Sequence, residues 1–168
     1  MVKELVVYFS VYGTAKIVAE EIAKQTGADI SEIEAAVPYD SNRDHYNALA
    51  RLAKKEHDED QRPAIKNEIN VDAYDTIYIG YPMWWYTFPM IIYTFFDKYD
   101  LSGKTIIPFN THMGSGDGGT YDTIRKLEPK AKVLTGLAVE MRDAENGPVA
   151  AVEKWLDSLN SLRSKNIF

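Results

Sequence analysis

The chain has 168 residues, 45% of them hydrophobic and 26% charged, which is enough apolar material for a packed core and excludes global disorder. Nineteen Lys and Arg against 25 Asp and Glu leave a net charge of −6, which argues against binding to nucleic acid or an anionic membrane. The lack of cysteine excludes disulfides and thiolate chemistry. The first residues do not resemble a signal peptide, and no apolar run is long enough to span a membrane, so we expect a cytoplasmic protein.

The first half of the chain predicts two strands and two helices. Leu5–Phe9 is an apolar run typical of a strand buried on both faces, and the helix after it ends at Gly27. Residues 28–33 predict a second strand, whose interleaved charges suit the edge of a sheet. The second helix is predicted over residues 42–60, with an apolar face made of Tyr46, Leu49, Leu52 and Ala53.

The second half predicts three strands and three helices. Residues 76–80 and 105–109 are buried strands, and residues 89–98 between them are expected to form the crossover helix. A weak helix over residues 120–127 precedes a strand over residues 133–139 that Gly136 interrupts. The last helix begins at Pro148 and has one apolar face, formed by Val149, Val152, Trp155, Leu156, Leu159 and Leu162.

This alternation predicts a single α/β domain over residues 1–168, with five parallel strands doubly wound by helices in three layers. In such a sheet, ligands bind outside the carboxyl ends of the strands. We therefore expect function in the loops after the first, third and fourth strands.

The first loop, residues 10–15, leads directly from a strand into a helix. A helix N-terminus offers unpaired N–H groups to a phosphate, and Ser10 and Thr14 could add hydroxyl donors. Lys16 is the nearest cation, so a phosphate here would rest on neutral donors. The alternative is an ordinary turn in which Ser10 or Thr14 caps the helix.

The second loop, residues 80–89, contains five large aromatic side chains. Trp and Tyr suit a planar heteroaromatic ligand, whereas the alternative is that these rings cover the core. Neighbouring side chains of an extended segment point to opposite faces, so we expect at least one of Trp84 and Trp85 to be exposed.

The third loop, residues 110–119, has four glycines in its last six residues, which lets a backbone approach a flat ligand. It lacks the Lys-Ser or Lys-Thr ending of a Walker loop, and the first strand lacks the Gly-x-Gly-x-x-Gly of a dinucleotide site.

His112 could be a base, a ligand or polar filler, and filler is favoured for a lone histidine. His45 and His57 have no metal-ligand spacing, and no Gly-x-Ser-x-Gly elbow indicates a hydrolase.

The second and third loops carry a family resemblance. Gly80–Trp85 reads Gly-Tyr-Pro-Met-Trp-Trp, and Thr111–Gly116 reads Thr-His-Met-Gly-Ser-Gly. Together with Tyr99–Phe109, they make the chain resemble the flavodoxins, in particular a bacterial subgroup with Gly-Tyr-Pro-x-Trp-Trp and Thr-His-x-Gly-Ser-Gly loops. The likeness covers most of the chain.

The resemblance implies a flavodoxin-like sheet of strand order 2-1-3-4-5 that holds FMN without a covalent bond. The first loop would hold the phosphate, and the other two would enclose the isoalloxazine ring. The resemblance implies no catalytic side chain and no metal ligand. The implied cofactor-binding residues are Ser10, Tyr12, Gly13, Thr14 and Ala15 at the phosphate, Pro82, Met83, Trp84 and Trp85 on one side of the ring, and Thr111, His112, Gly114 and Gly116 on the other.

The first loop departs from the family's Ser-x-Thr-Gly-Asn-Thr pattern. Tyr12, Thr14 and Ala15 replace Thr, Asn and Thr, and Tyr86 stands where the subgroup commonly has Gly. Two small hydrogen-bonding side chains are thereby lost, but the backbone donors remain. We expect FMN to bind, and a weaker or altered phosphate region is the alternative.

The predicted function is a low-potential FMN electron carrier between a reductase and an acceptor protein, acting as a monomer or weak dimer. An acidic protein with aromatic walls disfavours negative charge on a reduced flavin and can steer docking to basic partners. One alternative is an FMN-dependent NAD(P)H quinone or nitro-compound reductase, and another is a flavin-free binding module with a degenerate phosphate loop. A receiver domain is excluded because Ser10 and Val11 occupy the place of its acidic pair.

Overall fold

The computed structural model describes residues 2–165 and has a parallel sheet as its middle layer. The strands lie in the order β2-β1-β3-β4-β5, and β6 also pairs with β4. The predicted α/β fold and strand order are thus confirmed. The strands are β1 (Glu4–Tyr8), β2 (Asp29–Glu32), β3 (Thr76–Pro82), β4 (Thr105–His112), β5 (Lys132–Val133) and β6 (Leu137–Glu140).

The fifth position of the sheet is filled by two short strands instead of one. β5 pairs with residues 105–106 of β4 and β6 with residues 109–112, so the interruption faces Pro108, which has no N–H to give to a ladder. Gly136 lies in the gap, where a Cβ atom would come within 2.5 Å of the Tyr121 ring and 2.7 Å of the Pro108 carbonyl oxygen. Only glycine fits there, which explains the predicted break in this strand.

Helices cover both faces of the sheet. They are α1 (Thr14–Thr26), α2 (Tyr46–Asp58), α3 (Met90–Lys98), α4 (Thr120–Leu127), α5 (Met141–Glu145) and α6 (Val149–Ser164). Two short 3₁₀ turns, Arg43–His45 and Val71–Ala73, precede α2 and β3. α5 is a single short helix that was not predicted, because five residues are too few to show a periodic pattern.

The core has two halves, one on each side of the sheet, because successive side chains of β1 point to opposite faces. Leu5 and Val7 pack with α3 in one half, whereas Val6 and Tyr8 pack with α1 and α6 in the other. All four side chains are buried, which confirms a strand covered on both faces.

Two predicted apolar faces need correction. Tyr46 and Leu52 are 52% and 43% exposed, because α2 buries only a narrow stripe that consists of Leu49, Ala53 and Glu56. Val149 is 51% exposed, because it is the first residue of α6 and precedes the part of the helix that packs on the sheet.

Two features are absent from residues 2–165. No helix there is long and apolar enough to cross a membrane. Nor do those residues contain a group of three or more His, Asp or Glu side chains that could hold a metal ion.

Candidate functional site

The ends of β1, β3 and β4 meet at one edge of the sheet and bring the three loops together. The backbone N–H of Phe9 donates to the carbonyl of Gly80 at 3.0 Å, and that of Met83 donates to the carbonyl of Thr111 at 3.0 Å. Both strands run further than predicted: β3 reaches Pro82 and β4 reaches His112. Thr111 and His112 are therefore strand residues, and the irregular part of the third loop begins after them.

The first loop leaves the N-terminus of α1 without a side-chain cap. Ser10 Oγ accepts the N–H of Gly13 at 3.0 Å, and Gly13 itself is left-handed, with φ 89°. Thr14 Oγ1 donates to Glu145 Oε1 at 3.2 Å. The ordinary capped turn is thus wrong, and the N–H groups of the first turn form an uncapped, positive helix end.

Tyr12 and Arg43 lie against this loop. The Tyr12 hydroxyl is buried and has no hydrogen-bond partner within the described residues, and burial raises its pKa. The Arg43 guanidinium lies 5.3 Å from the centre of the Tyr12 ring. The segment before α2 therefore brings a cation to this loop that sequence spacing could not locate.

The second loop contains a tight turn from Trp84 to Thr87. The N–H of Trp84 donates to the carbonyl of Thr87 at 2.8 Å, and the reciprocal bond measures 3.2 Å. Trp85 and Tyr86 both have positive φ, 54° and 62°, which is typical of a type I′ turn but costly for aromatic residues. The segment is therefore not extended as expected, and the turn itself separates the two indoles.

The two tryptophans have different surroundings. Trp84 is half-buried, with its ring centre 5.6 Å from Phe9 and 5.3 Å from Tyr39, both in edge-on geometry. Trp85 is 44% exposed, and its indole N–H donates to the carbonyl of Ala50 in α2 at 2.8 Å. Trp84 therefore closes the edge of the core, while Trp85 presents an aromatic ring to solvent at the edge where a ligand is expected.

Asn110, which is not among the predicted site residues, anchors the third loop. The side chain is fully buried; its Nδ2 donates to the carbonyl of Gly116 at 2.9 Å, and its Oδ1 accepts the Tyr121 hydroxyl. An asparagine that directly follows the apolar run Ile106–Phe109 is the signal that could have indicated this role.

The third loop also contacts the second directly. A Cβ atom at Gly118 would lie 2.8 Å from the carbonyl oxygen of Tyr86 and 2.5 Å from the end of the Met83 side chain. His112 Nδ1 accepts the N–H of Gly114 at 3.0 Å, so this nitrogen carries no proton in the bond observed. In this structure His112 shapes the loop through this bond.

The structure places all the predicted site residues at this edge, but not all of them offer side chains. Thr14, Ala15 and Thr111 are buried residues. The residues that lie in the first loop or first turn are Ser10, Tyr12, Gly13, Thr14 and Ala15; those on or after β3 are Pro82, Met83, Trp84 and Trp85; those on or after β4 are Thr111, His112, Gly114 and Gly116.

This arrangement fits a ligand with a flat apolar part and an anionic end. An uncapped helix N-terminus and the unpaired Tyr12 hydroxyl lie on one side, and an exposed indole lies on the other. A flavodoxin family model matches residues 3–159. The chain belongs to the flavodoxin family.

Similar proteins extend this result. The chain is 34% identical to a protein described as a flavoprotein from Bacteroides eggerthii, with a TM-score of 0.79 over 94% of this chain and 98% of that one. A Lactobacillus acidophilus flavoprotein solved in complex with FMN is 20% identical, with a TM-score of 0.70 over 87% of this chain and 98% of the other. An NAD(P)H dehydrogenase (quinone) of Gluconacetobacter diazotrophicus is 28% identical over 152 residues, which are 82% of this chain and 71% of that protein.

Proposed function

We propose that this flavodoxin binds FMN without a covalent bond and carries electrons between redox proteins. The observation that carries the proposal is the uncapped N-terminus of α1, which lies at the same sheet edge as the Trp84–Thr87 turn. The related fold of the Lactobacillus acidophilus flavoprotein, which was solved with FMN, supports the choice of ligand.

The phosphate would be held at the first loop. The N–H groups of Thr14, Ala15 and Lys16 belong to the first turn of α1, where intrahelical bonding begins only with Ile17 N–H to Gly13. The Tyr12 hydroxyl has no partner within the described residues and can donate to the same group.

The ring would lie between the second and third loops. Pro82, Met83, Trp84 and Trp85 would line one side, and the exposed Trp85 face is the largest apolar surface that they offer. Across from it, the loop held by Asn110 would bring the Gly114 and Gly116 backbone close to the ring without side chains in the way. His112 would help to set the shape of that loop through its bond to Gly114.

The protein's contribution to electron transfer is binding, orientation and electrostatics, because FMN, when bound, supplies the redox chemistry. The net charge of −6 disfavours further negative charge at the site and attracts partners with basic surfaces. No acidic or basic side chain is required to act on the ring.

The deciding experiment is the visible absorption spectrum of the purified protein, with and without added FMN. We expect flavin bands that remain with the protein through gel filtration and bleach with dithionite. A colourless protein that does not retain added FMN would contradict the proposal and favour the flavin-free binding module.

A quinone reductase is the second candidate, and the similarity to the NAD(P)H dehydrogenase (quinone) favours it. Steady oxidation of NADPH by a quinone, with no partner protein present, would support the enzyme over the carrier. Tyr86 projects from the turn with 76% of its surface exposed and would lie beside the ring. If the protein is an enzyme, Tyr86→Gly should increase turnover by widening access, whereas a carrier should show negligible turnover with either side chain.

A further inference from the structure

Glu145 places a carboxylate against the first loop. Its Oε1 accepts the Thr14 hydroxyl at 3.2 Å and also a charge-assisted hydrogen bond from Arg43 Nη2. Glu145 is the last residue of α5, and Thr14 is the first residue of α1. An acidic group is disfavoured at the C-terminal end of a helix and favoured near an N-terminal end, so this carboxylate lies where α1 attracts an anion.

Arg43 joins this carboxylate to the other side of the loop. The guanidinium pairs with Glu145 and also lies 5.3 Å from the Tyr12 ring centre, so it spans the first loop. The Arg43 side chain is 52% exposed, which leaves it room to change partners. Its planar fork of N–H donors suits phosphate as well as carboxylate.

The same groups would face the phosphate of the proposed cofactor. The Arg43 hydrogen bond holds the pKa of Glu145 below its ordinary value, so the carboxylate is charged at neutral pH. A charged carboxylate beside a phosphate is repulsive, and both anions require the same donors: the Thr14 hydroxyl and the Arg43 guanidinium.

We propose that Glu145 is an internal anion that occupies the Thr14 and Arg43 donors until a phosphomonoester displaces it, after which Arg43 pairs with the phosphate. This inference rests on the proposed function. It makes Arg43 and Glu145 residues that set the preference for FMN over riboflavin, which has the same ring and no phosphate. Arg43 favours the phosphorylated ligand, and Glu145 opposes it.

The test is titration of FMN and of riboflavin into wild type, Arg43→Met and Glu145→Gln at low salt, followed by flavin fluorescence. Arg43→Met should weaken FMN binding about tenfold or more and leave riboflavin binding unchanged, because only FMN presents the anion. Glu145→Gln should tighten FMN binding about threefold or more, again without affecting riboflavin. Arg43→Lys, which keeps the charge but loses the fork, should fall between wild type and Arg43→Met.

Two controls remove equivalent charges elsewhere. Asp143→Asn removes a carboxylate from α5 that pairs with Arg142, and Lys24→Met removes a cation from the last turn of α1. Both should change FMN affinity by less than about twofold, because their charges are exposed and screened. The thermal midpoint of each variant without ligand verifies that it is folded.

Two results would overturn the inference: weaker FMN binding in Glu145→Gln, or an equal loss of FMN and riboflavin binding in Arg43→Met. If no form of the protein binds either flavin, the proposed function fails, and inorganic phosphate then tests the anion site alone. Phosphate should raise the thermal midpoint of Glu145→Gln more than that of wild type, because it binds the folded state without a competitor. An equal rise in the two proteins would contradict the inference.

Discussion

The Tyr39 hydroxyl donates a hydrogen bond of 2.8 Å to Glu56 Oε1 and joins the segment after β2 to the last turn of α2. Glu56 is only 7% exposed, and burial raises its pKa above the ordinary 4.5, while the bond from Tyr39 acts in the opposite direction. The bond also holds the Tyr39 ring beside Trp84, with ring centres 5.3 Å apart. A buried carboxyl group thus supports one wall of the candidate site.

Glu56→Gln should remove part of the pH dependence of stability. The folded state keeps the Glu56 proton to a higher pH than the unfolded state, so the stabilisation from this group is complete below about 4.5 and is lost as the pH rises through the raised pKa. Gln keeps an acceptor for Tyr39 and carries no charge. We expect the variant to match wild type near pH 4.5 and to exceed its unfolding free energy by about 1 kcal/mol at pH 7–8.

Urea unfolding from pH 4.5 to 8 measures this difference. Glu59→Gln, at the exposed C-terminal end of the same helix, is the control. Its unfolding free energy should have the same pH dependence as that of wild type. A constant deficit of Glu56→Gln at every pH would show that the carboxylate itself is needed.

Asn110→Ala should loosen the third loop and lower stability. The substitution leaves the Gly116 carbonyl and the Tyr121 hydroxyl without their buried partner, which should cost about 2–4 kcal/mol of unfolding free energy. Tyr121→Phe removes only one of these bonds and should cost about 1 kcal/mol. Urea unfolding gives the energies, and faster amide exchange in residues 113–119 should appear in Asn110→Ala alone. Equal effects of the two variants would contradict the anchoring role.

Tyr86→Gly should stabilise the protein despite removing a large side chain. Tyr86 has φ 62° and is 76% exposed, so glycine relieves an unfavourable backbone conformation and loses little packing. Glycine also has greater conformational entropy in the unfolded chain, which offsets part of this relief. We therefore expect the unfolding free energy, measured by thermal or urea unfolding, to rise by about 0.5 kcal/mol. Val37→Gly is the control, because Val37 is 82% exposed and lacks a positive φ; its unfolding free energy should fall by about 0.5–1 kcal/mol. A change of the same sign in the two variants would refute the explanation.

Trp84→Ala and Trp85→Ala should each weaken FMN binding by about 1 kcal/mol or more if these indoles contact the ring. Trp84→Ala should also lower the unfolding free energy, because it removes contacts with Phe9 and Tyr39, whereas Trp85 loses mainly its bond to Ala50. Fluorescence titration measures affinity, and Trp155→Phe, on α6, is the control that should leave it unchanged. If neither substitution weakens FMN binding, the assignment of the ring to this turn is wrong.

The fold could be predicted because its signals are local. Buried strands such as Leu5–Phe9 read as continuous apolar runs, and helix ends such as Gly27 have a residue preference of their own. The interruption at Gly136 was also visible as a glycine in a strand pattern. The alternation of strands and helices along the chain then leaves few possible topologies, and the strand order followed from the family resemblance.

The details of the site could not be predicted because they depend on loop conformation and distant contacts. Arg43 lies within residues 42–60, which were predicted as one helix, but the structure places it in the 3₁₀ turn before α2, and its partner Glu145 is 102 residues away in the chain. The turn at Trp85 and Tyr86 breaks the usual preference for glycine at positive φ, so local chemistry predicts a different backbone. Such departures from local preference are expected where a structure serves a ligand.

The division of the outermost strand into β5 and β6 has a consequence for solubility. A long, straight border strand is a template on which a second chain can add by backbone pairing, and it promotes aggregation. Here that edge consists of β5, with two residues, and β6, with four, separated around Gly136. An incoming strand therefore cannot form a continuous ladder of backbone hydrogen bonds along it. The same glycine that accommodates the Tyr121 ring thereby leaves this side of the sheet without a continuous edge for backbone pairing.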